Sequence, residues 1–131
     1  MTDPSEKKTV LVVDDDDSVL RVTMRALQSF GFTTIGAKDG FEAVSAFREQ
    51  HQALDCVILD MSMPGMSGKQ TLQSLREIDP DVPVLLASGH SVDEMRDMYG
   101  ESGFAGYLQK PFQIATLNDA VHSVINGRQN S

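Results

Sequence analysis

Five short apolar runs, each followed by a helical pattern, leave this chain few folds to adopt. The runs are Thr9–Val13, Thr33–Ala37, Cys56–Leu59, Val82–Ala87 and Ala105–Leu108. The first, third and fourth are rich in Val, Ile or Leu and bounded by Asp, Gly or Pro, as buried strands are. The second and fifth take their assignment from their place in the alternation. Between the runs, Val19, Val22, Ala26, Leu27 and Phe30 fall at helical spacing, with Gly31 as a stop. Ala43, Val44 and Phe47 mark a second helix, and Leu72, Leu75 and Ile78 a third that ends before Pro80. Val92, Met95, Met98 and Tyr99 mark a fourth. Ile114, Leu117, Val121 and Val124 mark a fifth, with Gly127 as its stop. Five strands alternating with five helices predict an α/β domain: a five-stranded parallel sheet, covered on both faces and joined by right-handed crossovers.

Length and charge narrow the class. The 131 residues suit one domain with a core that needs no staple. We expect a polar, flexible leader over residues 1–8, the domain over 9–126 and a flexible tail over 127–131. The single cysteine, Cys56, excludes a disulfide framework and a multi-cysteine metal site. Lys and Arg number 11 against 19 Asp and Glu, a net charge of −8 that argues against direct nucleic-acid binding. No apolar run approaches a membrane span, and the N-terminus has no signal-peptide core, so a cytoplasmic location is expected.

Parallel sheets of this kind bind ligands beyond the carboxyl ends of their strands. There the sequence delivers Asp14-Asp15-Asp16-Asp17 after the first run, Asp60 after the third, Ser88-Gly89 after the fourth and Lys110-Pro111 after the fifth. If the first and third strands are neighbours, Asp14, Asp15 and Asp60 come within a few ångströms, where like charges oppose one another's ionisation. A hard divalent cation offsets them. Mg²⁺ suits a carboxylate or two with water and phosphate oxygens, and Lys110 adds a second positive charge. Asp17 or Ser18 is expected to cap the first helix. The set suits phosphoryl transfer, which needs positioning and charge neutralisation, a hydroxyl donor, and a carboxylate able to attack phosphorus.

These segments resemble the response-regulator receiver domain of two-component signalling over residues 9–126. The resemblance lies in Val10-Leu11-Val12-Val13-Asp14-Asp15, in Val57–Gly68 around Asp60, in Pro83–Gly89, and in Gly106–Phe112. It implies a flavodoxin-like fold with strand order 2-1-3-4-5. It makes Asp60 the phosphoacceptor, with Asp14, Asp15, Asp60 and the backbone carbonyl of Ser62 holding Mg²⁺ (or Mn²⁺ as a substitute), Asp15 being the more direct ligand. Lys110 would contact the phosphoryl group, Ser88 would be the switch hydroxyl and Tyr107 the switch aromatic. The implied partners are a sensor histidine kinase or histidine phosphotransfer protein, and a downstream protein reached through the fourth helix, fifth strand and fifth helix. Glu94, Arg96, Asp97, Gln109 and His122 are candidate exposed residues of that surface. Ser88-Gly89-His90 and Leu108–Phe112 look most like receivers at the C-terminus of hybrid kinases. His90 is expected to be an exposed residue opening the fourth helix. The implied chemistry is self-phosphorylation with autodephosphorylation, not multiple turnover on external substrates.

Other readings compete. A phosphorylation-independent interaction module would use the same fold. Asp14-x-Asp16-x-Ser18 imitates a haloacid-dehalogenase-like phosphatase, but that reading leaves Asp60 idle. A flavin carrier is rejected, because four aspartates would repel its phosphate.

Overall fold

The structure, a computed structural model, describes residues 7–61, 63 and 65–129. Ser62 and most of the expected leader lie outside those residues, as do Asn130 and Ser131. The elements alternate along the chain: β1 (Thr9–Val13), α1 (Asp17–Ser29), β2 (Thr33–Ala37), α2 (Gly40–Gln50), β3 (Cys56–Asp60), α3 (Gly68–Ile78), β4 (Val84–Ser88), α4 (Val92–Tyr99), β5 (Gly106–Gln109) and α5 (Ile114–Gln129). All four strand pairings are parallel and the order is β2-β1-β3-β4-β5, as expected. Among the described residues no helix is long and apolar enough to cross a membrane.

Strand side chains alternate between faces, so each central strand feeds two cores. Val10, Val12, Cys56, Ile58, Leu85, Ala87 and Leu108 pack with Leu20, Ala26 and Leu27 of α1 and Leu117, Val121 and Ile125 of α5. Leu11, Val13, Val57, Leu59 and Val84 pack with Ala43 and Phe47 of α2 and Leu72 and Leu75 of α3. That double burial is why β1, β3 and β4 read as unbroken apolar runs. The same alternation, carried one step further, puts Asp14, Asp60 and Lys110 in register with the α1/α5 face.

Several boundaries differ from the sequence reading. β3 extends through Asp60, whose Cα pairs with Ala87. β4 begins at Val84, after Pro83, which has no N–H for the ladder. α1 is capped by Asp16 and not by Asp17 or Ser18: its Oδ1 accepts the N–H groups of Ser18 at 2.9 Å and Val19 at 3.2 Å. The α1 stripe that packs is Leu20, Thr23, Ala26 and Leu27, which leaves Val22 64% exposed and Phe30 42% exposed. Gly31 does end the turn, at φ 94°. Gly127 does not stop α5, which runs to Gln129.

The helices following β3 and β4 both start with a capping box. Ser67 accepts the Gln70 N–H while Gln70 accepts the Ser67 N–H. Ser91 and Glu94 do the same at α4. Beyond its cap α4 is lightly held, with Met95 its one buried residue.

Candidate functional site

The strand order reverses between β1 and β3, and both strands lead there into aspartate. The backbone ladder continues past the strands: the Asp14 N–H donates to Ala37 O at 3.0 Å, Met61 N–H to Ala87 O at 2.9 Å and Lys110 N–H to Ser88 O at 2.7 Å. Each polar group is thereby fixed by the strand next to it.

Asp14 and Asp60 are buried, 4% and 7% exposed, and Asp15 is exposed. One carboxylate oxygen of each lies within 4.8 Å of the others. Asp14 Oδ1 accepts the Asp16 N–H at 2.9 Å, and its Oδ2 accepts from Lys110 Nζ at 2.7 Å. The same ammonium donates to Asp60 Oδ1 at 3.1 Å. Burial pushes the Asp60 carboxyl up to about 6, against the attraction of Lys110 and with help from the Asp14 charge. Burial alone would lower Lys110. Its hydrogen bond to Asp14 and the charges of Asp60 and Asp14 outweigh that and hold it above the ordinary lysine value.

Three carboxylates and one ammonium leave an excess of two negative charges when all are ionised. The donors are all oxygen, one of them open to solvent. That set fits a small hard divalent cation with room for water and an anionic oxygen. Asp14, Asp15 and Asp60 are the described side chains that could hold it; Ser62 lies outside the described residues.

Ser88 is buried at the same edge, one residue beyond the Asp60–Ala87 pairing. Its hydroxyl accepts the His90 N–H at 3.2 Å. His90 is exposed and precedes α4, which opens at Val92; its Nδ1 lies 3.5 Å from Glu94 Oε2. Tyr107 lies on β5, three residues before Lys110. Its half-buried ring stands 6.3 Å from that of Phe104, which in turn meets Tyr99 edge-on at 5.9 Å. Glu94, Arg96, Asp97, Gln109 and His122 are all exposed. Asp16 is spent on the α1 cap, so the Asp14-x-Asp16 spacing does not deliver two carboxylates to one pocket.

Sequence reasoning missed an apolar groove of about 510 Å³ beside the site. Val19, Val22 and Thr23 of α1 line it with Pro111 and Phe112, and Lys110 belongs to both groove and pocket. The available signal was Val22, which falls off the buried stripe Leu20–Thr23–Ala26–Leu27.

This edge defines a class: a doubly wound α/β domain whose switch point carries a carboxylate cluster bridged by lysine. The model of the response regulator receiver domain matches residues 10–122, and the chain belongs to that family. Receiver domains are signalling modules of two-component systems that bind Mg²⁺ at an acidic pocket. The chain is 37% identical over 125 residues to the sensor kinase CckA of Brucella abortus, covering 95% of this chain and 13% of that protein. It is 39% identical over 119 residues to the transcriptional regulatory protein PrrA of Mycobacterium tuberculosis, covering 91% of this chain and 50% of that one. It thus spans half or less of these two relatives. Among solved structures, it is similar to the CheX–CheY–BeF3–Mg²⁺ complex of Borrelia burgdorferi, with 27% identity, a TM-score of 0.84, and coverage of 94% of this chain and 98% of that chain.

Proposed function

We propose that Asp60 accepts a phosphoryl group from a partner's phosphohistidine and that the acyl phosphate repositions the α4–β5–α5 surface. The observation that carries this reading is the single ammonium of Lys110 bonded to both Asp14 and Asp60. A lysine held between two buried carboxylates is placed to follow charge from the carboxylate to an incoming phosphoryl oxygen.

An Asp60 oxygen forms the new P–O bond as the P–N bond to the donor imidazole breaks, and the electron pair stays on the imidazole nitrogen. Asp60 must be ionised to attack. Lys110 keeps it so, and the buried walls limit competing water. Bound Mg²⁺, held by Asp14, Asp15, Asp60 and the Ser62 carbonyl, would supply charge neutralisation to the phosphoryl oxygens. Lys110 then pairs with one of those oxygens. Ser88 exchanges its contact with the His90 N–H for donation to another. The space it leaves is open to Tyr107, which shifts a balance between two arrangements of one fold.

The donor is a sensor histidine kinase or a histidine phosphotransfer protein. Its apolar helix face sits in the Val19–Val22–Phe112 groove, where continuity through Lys110 brings its histidine over Asp60. The reader of the switched surface is a downstream protein. The domain modifies itself, with autodephosphorylation closing the cycle, and does not turn over external substrates.

Intact mass after incubation with a small phosphodonor and Mg²⁺ tests this. One added phosphoryl group is expected on the wild type, none without the metal and none on Asp60→Asn. No adduct on the wild type, with rapid hydrolysis excluded, favours a phosphorylation-independent interaction module. An adduct that survives Asp60→Asn moves the acceptor to Asp14 or another carboxylate.

A further inference from the structure

Arg76, on the last turn of α3, reaches across two loops. Its Nη1 donates to Val82 O, just before β4, and its Nη2 donates to Gly103 O at 2.8 Å, just before β5. The two arms of the guanidinium, fixed in one plane, reach two separate carbonyls, a spread of donors that the single nitrogen of an ammonium lacks. Gly103 has φ 99°, a conformation other residues rarely adopt, so this turn is built around glycine.

The segment so held carries Phe104. That ring packs against the α2/α3-side core on one side and takes Tyr99 and Tyr107 on the other. A polar cleft of about 690 Å³, lined by Lys69 and Gln73 of α3 and by Arg96, Met98 and Ser102, separates α3 from α4. With Met95 the one buried residue of α4, the helix has little else to fix where its C-terminal end lies.

We propose that Arg76 is a positioning residue that pins the Gly103–Phe104 turn, making Phe104 the fixed stop against which Tyr99 and Tyr107 rest. α4 then pivots about a clamped C-terminal exit while its Ser88-linked start moves. The pivoting half of this inference rests on the switch reading above; the clamping half does not.

Two measurements on the full chain separate them. Hydrogen exchange without phosphodonor compares wild type, Arg76→Lys and Arg76→Met. Peptides covering residues 100–106 should exchange at least tenfold faster in Arg76→Met and by an intermediate factor in Arg76→Lys, with β1 and β3 unchanged. Unchanged exchange over 100–106, or equal acceleration there and in β1 and β3, overturns the clamp. If Arg76→Met does not fold, Arg76→Lys decides by the same criterion. Then intact mass and tyrosine emission are read with phosphodonor and Mg²⁺. Tyr99 and Tyr107 are the only tyrosines and there is no tryptophan, so emission reports this aromatic row alone. Phosphoryl uptake should be equal in wild type and variant, and the accompanying emission change should fall at least twofold in the variant. Equal uptake with an undiminished emission change overturns the stop. No uptake by the wild type defeats the switch reading and with it the pivot, while the exchange data still decide the clamp.

Discussion

Lys110 Nζ lies 2.7 Å from Asp14 Oδ2, although the two residues are 96 positions apart in the chain. Nothing local sets that distance. It depends on β1 and β5 standing at their places in the sheet with β3 and β4 between them. Replacing Lys110 by Ala leaves two buried carboxylates facing each other. The loss of a charge partner in a part-buried site is expected to cost about 2–3 kcal/mol at pH 7. That cost depends on pH with a definite sign. Without the ammonium, Asp60 rises above its present value of about 6, and an acid held above its unfolded value costs stability where it is ionised. The penalty should therefore shrink as pH falls towards 6 and level off below it, where the carboxyl is protonated in both proteins. Urea denaturation at pH 7 and pH 5 checks it, and equal penalties at both would contradict the assignment.

Asp60 itself is a stability cost in the absence of metal. Its carboxyl is pushed from 3.8 to about 6, chiefly by burial. The folded state thus holds a proton that the unfolded state has released between those values. Wild-type stability should gain, relative to Asp60→Asn, as pH falls from 7 towards 4. At pH 7 without Mg²⁺, Asp60→Asn should be the more stable by about 1–3 kcal/mol, and near pH 4 the difference should vanish. Paired melts across that range, with chelator present, decide it.

Val22 is 64% exposed on the groove that shares Lys110 with the pocket. A charge there should leave the fold intact, because the buried stripe of α1 runs through Leu20, Thr23, Ala26 and Leu27. Val22→Glu should slow transfer from a phosphohistidine protein at least tenfold while leaving uptake from a small phosphodonor unchanged. Equal slowing with both donors would place the defect in the pocket and not in docking.

Ser88→Ala removes the acceptor of the His90 N–H and the hydroxyl proposed to follow the phosphoryl group. Uptake at Asp60 should persist. The change in tyrosine emission that accompanies uptake in the wild type should be lost or at least halved. An unchanged emission response would detach Ser88 from the Tyr107 side of the molecule.

The sheet was legible because its central strands are buried on both faces, which writes them as unbroken Val, Ile and Leu runs. The pocket was legible for the same reason: Asp14, Asp60 and Ser88 follow those runs directly, and a charged or polar group at the end of a buried strand stands out. The helices were less readable. An apolar stripe does not distinguish a residue that packs from one that stays exposed, so Val22 and Phe30 fall at helical spacing beside Ala26 and Leu27 although both are exposed. The cap of α1 fell to Asp16 among four consecutive aspartates, a choice made by backbone angles and not by residue type. Arg76 gave no signal at all. It donates to the carbonyls of Val82 and Gly103, and any residue supplies a carbonyl.

The capping boxes at Ser67–Gln70 and Ser91–Glu94 sit on the two helices that leave the loops after Asp60 and Ser88. Each closes its first turn with its own side chains, so neither helix draws on the loop before it to satisfy its leading amides. Under the proposed switch, a rearrangement around an altered Asp60 therefore need not unwind α3 or α4. A change at the sheet edge would then be passed on as the displacement of an intact rod. A helix that borrowed its cap from the loop would fray and absorb the same disturbance within a turn.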